Sequence, residues 1–116
     1  MKILVVDDDL HIQRLYKEEF QDEGYEVVVA SNGAEAMEMF ERENPDIVTL
    51  DILLPDVDGI RILRQMKEKN PKIPVIMSTA YDYRDDFAVW ASEAYIVKSS
   101  DLDELKIMIK KLLNKQ

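Results

Sequence analysis

Short apolar runs alternate along this chain with longer amphipathic segments, and this alternation constrains the fold more than any other feature. Apolar runs rich in β-branched residues predict strands at Ile3–Val6, Glu26–Ala30, Ile47–Leu50, Val75–Ser78 and Tyr95–Val97. Helical spacing predicts helices at Leu10–Glu23, Ala34–Arg42, Ile60–Lys69, Arg84–Ser92 and Leu102–Asn114. Such alternation is typical of a parallel sheet covered by helices on both faces. We therefore expect a doubly wound α/β domain of the (βα)5 type.

The two terminal helices should bury apolar stripes against this sheet. In the first helix the apolar residues at helical spacing are Leu10, Leu15, Tyr16 and Phe20. In the last helix they are Leu102, Leu105, Ile109, Leu112 and Leu113.

Composition narrows the class of protein. The chain has 116 residues, 47% of them hydrophobic and 34% charged, which is a globular profile with no linker or low-complexity tract. We expect one domain over residues 1–116, without an attached output module. The opening run MKILVV is too short for a signal peptide or a membrane span, so we expect a cytoplasmic protein.

Charge and cysteine content exclude several kinds of site. The chain has no cysteine, which excludes a disulfide framework and a thiolate metal site. Its net charge is −9, from 24 acidic and 15 basic residues, and no basic face is visible. Direct binding to nucleic acid or to an anionic membrane is therefore not expected.

Polar residues follow the predicted strands at the edge where parallel sheets bind ligands. They are Asp7-Asp8-Asp9, Ser31, Asp51, Thr79 and Lys98. Each has an ordinary explanation when taken singly: Asp9 as a helix N-cap, Thr79 as a turn hydroxyl, Lys98 as a solvated loop residue. Their occurrence together at one edge favours a functional site.

The residue types in this group suit phosphoryl chemistry beside a divalent cation. Two carboxylates about 4 Å apart repel by roughly 4 kcal/mol at an effective dielectric constant near 20, so Asp7, Asp8 and Asp51 together call for a cation. Hard oxygen ligands favour Mg²⁺. A carboxylate can accept a phosphoryl group, and a cation and a lysine can neutralise its charge. Asp51, Mg²⁺ and Lys98 would supply these parts.

Four segments resemble the signature blocks of response-regulator receiver domains, of the single-domain CheY-like type. They are ILVVDDD (Ile3–Asp9), DIVTLDILLPDVDG (Asp46–Gly59), VIMSTAY (Val75–Tyr81) and AYIVKS (Ala94–Ser99). The most specific element is Asp-x-x-x-Pro-x-x-Asp-Gly, which begins at Asp51, and the resemblance covers essentially the whole chain. It implies a flavodoxin-like fold with strand order 2-1-3-4-5.

The resemblance also implies a metal site and a phosphoacceptor. Asp51 would be phosphorylated by a histidine kinase or a histidine phosphotransfer protein. Asp8, Asp51 and the main-chain carbonyl of Leu53 would ligate Mg²⁺ directly, and Asp7 would hold a metal-bound water. The chain would catalyse only its own phosphorylation and dephosphorylation, and it would be no enzyme in the usual sense.

A switch is implied at the other strand ends. Lys98 would pair with the phosphoryl oxygens, Thr79 would move in to bind them, and Tyr95 would follow from an outward to an inward rotamer. This pair is the two-state element that phosphorylation biases. One departure from the family pattern is Ser99, which stands where a proline usually follows the lysine.

Signal output would pass through protein contacts, with the chain a monomer or a weak dimer. The first helix, with Ile12, Leu15 and Tyr16, is the predicted docking site for the kinase or phosphotransfer protein. The regions around Phe87–Tyr95 and Lys106–Lys110 are the predicted surface for a downstream protein target.

Three other readings of the sequence remain open. A haloacid-dehalogenase-type phosphatase would use Asp7 and Asp9 as an Asp-x-Asp pair, but it would leave the block from Asp51 to Gly59 without a role. A flavodoxin would need a phosphate-binding loop where three aspartates stand. A receiver domain that has lost phosphorylation would act as a scaffold only.

Overall fold

The structure, a computed structural model, describes residues 1–79, 94–97 and 102–114. Within these ranges the strands are β1 (Lys2–Val6), β2 (Glu26–Ala30), β3 (Ile47–Leu50), β4 (Val75–Thr79) and β5 (Ala94–Val97). The helices are α1 (Leu10–Asp22), α2 (Gly33–Glu43), α3 (Gly59–Lys69) and α4 (Asp103–Asn114). The nine corresponding sequence predictions are confirmed to within two residues at each end. The predicted helix Arg84–Ser92 lies outside the described residues.

The five strands form one parallel sheet in the order β2-β1-β3-β4-β5, which confirms the predicted fold class and strand order. In the register, Val6 pairs with both Ala30 and Leu50, and Leu50 pairs with Met77. The carboxyl ends of the three central strands therefore meet at one edge. The residues that follow β1 and β3, Asp7 and Asp51, lie side by side there.

Local side-chain chemistry sets where the helices begin. Asp9 accepts hydrogen bonds from the amides of His11 (2.8 Å) and Ile12 (3.4 Å), so it caps α1. Asn32 caps α2 by accepting from the amide of Glu35 (2.8 Å). These caps satisfy amides that have no partner inside their own helix.

The strands bury both faces, and the sheet separates two cores. Leu4 and Val6 face the core formed with α2 and α3, whereas Ile3 and Val5 face the core formed with α1 and α4. All four are at most 1% exposed, as expected for a parallel sheet covered on both sides. No helix in the described ranges combines the length and the apolar character that spanning a bilayer requires.

Two details of the predicted apolar stripes, Leu10 and Leu112, are wrong, and one residue of the predicted docking surface, Tyr16, is buried in its stripe. Leu10 is 66% exposed, because it is the first residue of α1 and precedes the buried stripe of Gln13, Tyr16 and Phe20. Tyr16 is 2% exposed, so its side chain belongs to the core and is not available for docking. In α4, Leu112 is only partly buried, since Leu105, Ile109 and Leu113 occupy the inward face.

Candidate functional site

Three carboxylates converge at the carboxyl edge of the sheet. One oxygen each from Asp7, Asp8 and Asp51 lies within 4.8 Å of the other two. Asp7 and Asp51 are 2% and 6% exposed, whereas Asp8 faces solvent. The sequence predicts these residues at one edge because each follows a parallel strand, and the structure brings them together.

Backbone hydrogen bonds hold the two buried aspartates. The amide of Asp7 donates to Ala30 O and the amide of Asp51 donates to Val6 O, each at 3.0 Å. Both bonds extend the ladder of the sheet by one residue. The Asp7 carboxylate also accepts from the amide of Asp9 at 2.9 Å, which orients it within the turn that leads into α1.

Gln13 connects this turn to the end of β2. Its side-chain nitrogen donates to Asp7 O at 2.6 Å and to Ser31 Oγ at 2.8 Å, and it is 7% exposed. A buried amide with two good acceptors rigidifies the backbone that carries them. Gln13 therefore fixes the backbone of Asp7 from the helix side.

The loop between β3 and α3 folds back on its own start. The amide of Leu53 donates to Asp51 Oδ1 at 3.2 Å, and Leu53 forms an isolated antiparallel bridge with Asp58. The amide of Gly59 donates to Ile52 O at 2.6 Å. A Cβ on Gly59 would overlap the main-chain oxygen of Asp51, so the close approach requires glycine at this position.

A further acidic residue in this loop bonds to a different helix. Asp56 accepts from the amides of Gly33 (2.8 Å) and Ala34 (3.1 Å), the first two residues of α2. The hydrogen bond from Gly33 is the largest cause that holds the pKa of Asp56 below its usual value. Asp56 is therefore an anionic acceptor at the N-terminus of α2.

The carboxylate cluster fits a magnesium ion by its chemistry. All its donors are hard oxygens, the ligand type that Mg²⁺ takes in proteins, and they lie within 4.8 Å of one another. Without a cation, three carboxylates at this separation repel one another. Asp7, Asp8 and Asp51 could hold the ion, with the carbonyl of Leu53 beside them in sequence.

The remaining predicted site residues are placed only in part. Thr79 is the last residue of β4 and pairs with Val97, and Tyr95 lies in β5 opposite Met77. Tyr95 therefore lies within the sheet, as the sequence predicts, whereas Thr79 is the last residue of β4 and does not follow it as predicted. Lys98 lies outside the described residues.

Sequence reasoning missed two residues of this site. Gln13 carried one usable signal, because it precedes Tyr16 and Phe20 at helical spacing on the buried face of α1. Asp56 carried none, since its partners Gly33 and Ala34 are 22 or more residues away in sequence.

Sequence comparison identifies relatives along nearly the whole chain. The family profile described as the response regulator receiver domain matches residues 3–110. Sporulation initiation phosphotransferase F of Bacillus subtilis is 39% identical over 115 residues, covering 97% of this chain and 93% of that protein. Regulatory protein AtoC of Escherichia coli is 36% identical over 119 residues, which cover 99% of this chain but 26% of AtoC. This chain thus spans nearly all of one relative and about a quarter of the other.

Comparison with solved structures also identifies response regulators as relatives of this chain. The response regulator protein TrrA of Thermotoga maritima, crystallised with Mg²⁺-BeF, is 46% identical and superposes with a TM-score of 0.92, covering 96% of this chain and 97% of TrrA. TrrA in complex with the histidine kinase ThkA superposes with a TM-score of 0.91 over 97% of both chains.

Proposed function

This chain belongs to the response regulator receiver domain family of two-component systems, and from that membership we propose that Asp51 is its phosphoryl acceptor. The observation that carries the proposal is the convergence of Asp7, Asp8 and Asp51 within 4.8 Å. Residues 1–116 act as one receiver unit in this proposal, and the family profile already covers residues 3–110.

Asp51 is the proposed nucleophile because it is the first residue of the Asp-x-x-x-Pro-x-x-Asp-Gly block, which resembles the signature block of the family. A carboxylate oxygen of Asp51 attacks the phosphorus of a phosphohistidine, forming an O–P bond. The P–N bond breaks, and its electron pair returns to the imidazole nitrogen. The Leu53 amide, 3.2 Å from Asp51 Oδ1, orients the carboxylate for this attack.

Magnesium is the proposed cofactor, held by Asp8, Asp51 and the Leu53 carbonyl, with Asp7 on a metal-bound water. When bound, the ion offsets the negative charge that gathers as phosphate approaches the carboxylates. The rigid backbone around Asp7 keeps its carboxylate aimed at the cluster. TrrA, the 46% identical relative, was crystallised with Mg²⁺-BeF, which supports the assignment.

Lys98, Thr79 and Tyr95 are the proposed charge-neutralising and switch residues. Thr79 is the last residue of β4, and β4 pairs with β3, the strand that Asp51 follows. Tyr95 lies on the neighbouring strand, where it can respond to a movement of β4. Phosphorylation would shift the balance between two arrangements of this pair.

A histidine kinase or histidine phosphotransfer protein is the proposed phosphoryl donor, and a second protein is the proposed target. The complex of TrrA with ThkA supports a kinase as partner. Ile12 and Leu15 on α1 are partly exposed and remain candidates for the contact with the kinase. Tyr16 is buried and is no longer a candidate. On α4, Ile107 is 55% exposed, within the surface predicted for the target.

The deciding experiment is labelling with acetyl phosphate in the presence of Mg²⁺. We expect the wild-type chain to gain the mass of one phosphoryl group, and Asp51→Asn to gain none, because an amide cannot form the acyl phosphate. Intact-protein mass spectrometry reads the result. Glu18→Gln, which removes one exposed charge from α1, is the matched control and should label normally.

Locating the modified residue separates this function from its rivals. Reduction with borohydride converts a phosphoaspartate to homoserine, and peptide mapping then identifies its position. Modification at Asp7, with turnover of a phosphomonoester, would instead indicate a phosphatase. Asp9 caps α1 and accepts hydrogen bonds from the amides of His11 and Ile12. This role in its own helix does not favour a catalytic Asp-x-Asp pair. No labelling of the wild type would indicate a scaffold.

A further inference from the structure

The loop that joins β3 to α3 is attached to α2 as well as to α3. Asp58 lies at the α3 end and caps that helix by accepting from the amide of Ile60 at 2.9 Å. Asp56 reaches the other way: Oδ1 accepts from Gly33 and Oδ2 accepts from Ala34. The loop between β3 and α3 is therefore hydrogen-bonded both to α3, which follows it, and to α2, which precedes β3.

The N-terminus of α2 depends on this contact. The first amides of a helix have no acceptor within it. At the start of α2, the side chain of Asn32 accepts a hydrogen bond from the amide of Glu35, and its main-chain carbonyl accepts one from the amide of Ala36. The two amides before them, Gly33 and Ala34, donate to Asp56. The helix start is thus completed by a residue of the loop.

A packing contact reinforces the hydrogen bonds. A Cβ on Gly33 would overlap Val57 Cγ1 and would lie 3.1 Å from Ile62 Cδ1. The side chain of Val57 therefore occupies the space that the missing Gly33 side chain leaves. Interlocked packing and a doubly accepting carboxylate tie residues 56–57 to the start of α2.

We propose that Asp56 is a positioning residue for magnesium binding, acting through the carbonyl of Leu53. Leu53 is bonded within its own loop, to Asp51 and to Asp58. Asp56, three residues further on, connects that loop to an independent element of the fold. The inference rests on the proposed function, in which the Leu53 carbonyl is a metal ligand.

Asp56→Ala tests the proposal against Asn32→Ala. Both substitutions remove acceptors from the start of α2, but only the first releases the loop. We expect both to lower the Tm, whereas only Asp56→Ala should weaken Mg²⁺ binding, by about tenfold, as removal of residues that support a metal ligand does. A MgCl₂ titration followed by ¹H–¹⁵N NMR, at a temperature where both variants are folded, measures the dissociation constant.

Asp56→Asn separates position from charge. It removes the negative charge but keeps one acceptor oxygen, so its Mg²⁺ affinity should lie between those of the wild type and Asp56→Ala. The acetyl phosphate reaction supplies an independent measure. For Asp56→Ala the half-saturating Mg²⁺ concentration should rise about tenfold, while the rate at saturating Mg²⁺ stays within about twofold of the wild type.

Two results would overturn the inference and leave the proposed function intact. One is equal Mg²⁺ affinity in Asp56→Ala and Asn32→Ala. The other is equal weakening in Asp56→Ala and Asp56→Asn, which would assign the effect to charge alone. A wild-type chain that binds no Mg²⁺ would overturn both proposals. The wild type is titrated first, so this outcome is told apart from a failure of the Asp56 inference alone.

Discussion

At the residue scale, the α1-side core contains a polar side chain that contributes nothing to hydrogen bonding among the described residues. Thr49, in the middle of β3, is 1% exposed, and its hydroxyl has no partner within the ranges that the structure describes. Its register partners on either side are Val5 and Ile76, both apolar. A buried hydroxyl without a partner costs about 1–3 kcal/mol of the free energy of unfolding.

Thr49→Val should therefore stabilise the protein. Valine has the same shape as threonine and replaces the hydroxyl by a methyl group, so the core stays filled while the desolvation cost disappears. We expect the free energy of unfolding to rise by about 1 kcal/mol, measured by urea denaturation. Thr49→Ser, which keeps the hydroxyl and loses a methyl group, should destabilise. A lower free energy of unfolding in Thr49→Val would mean that the hydroxyl has a bonding role.

At the element scale, one buried hydrogen bond joins α1 to β4. Tyr16 OH lies 3.0 Å from Ser78 Oγ, and both residues are 2% exposed. Ser78 directly precedes Thr79, the proposed switch residue. The position of α1 is thereby coupled to the strand that ends at the site.

A double-mutant cycle on this pair should show coupling. Tyr16→Phe keeps the ring, which packs 5.5 Å from that of Phe20, and Ser78→Ala removes the other hydroxyl. Each single variant should lose about 1–2 kcal/mol of unfolding free energy, because it removes the buried hydrogen bond between the two hydroxyl groups. The double variant should lose about 1 kcal/mol less than the sum. Additive losses in urea denaturation would contradict the coupling.

At the scale of the whole molecule, the acidic edge reduces the stability of the metal-free fold. The chain carries a net charge of −9, and Asp7, Asp8 and Asp51 concentrate three carboxylates at one point. Any ion that binds the folded state alone raises stability by mass action. Removing one carboxylate should relieve part of the same repulsion.

Asp8→Asn should raise the Tm in chelator by about 3–5 °C, a value reduced for the solvent screening of this exposed residue. Adding MgCl₂ should raise the Tm of the wild type more than that of the variant, because the variant has lost a proposed ligand. Differential scanning calorimetry measures both. Glu18→Gln makes the same charge change outside the cluster, and an equal effect from it would show that net charge alone is responsible.

Much of the fold follows from local pattern. The alternation of buried strands with amphipathic helices predicts the parallel sheet, because the spacing of apolar residues in each segment indicates which of its faces is buried. The aspartates after β1 and β3 meet because parallel strands end at the same edge, so Asp7, Asp8 and Asp51 were foreseeable from topology. Strand order required the family resemblance, since periodicity does not specify neighbours.

Other features depended on contacts between distant segments. Whether Tyr16 would face solvent or Ser78, and whether Asp56 would meet α2, depends on the packing of elements that lie 22 to 62 residues apart. A sequence pattern reports the periodicity of one segment. It carries no measure of the distance between two.

The sequence by itself therefore determined the class of the fold and the acidic residues at its edge, because the first depends on periodicity and the second on residue type after each strand. Only the tertiary structure decided how the edge is held: Gln13 against Asp7, and Asp56 against Gly33 and Ala34. The physical reason is that a hydrogen bond needs a donor and an acceptor within about 3 Å, and folding alone brings them to that distance.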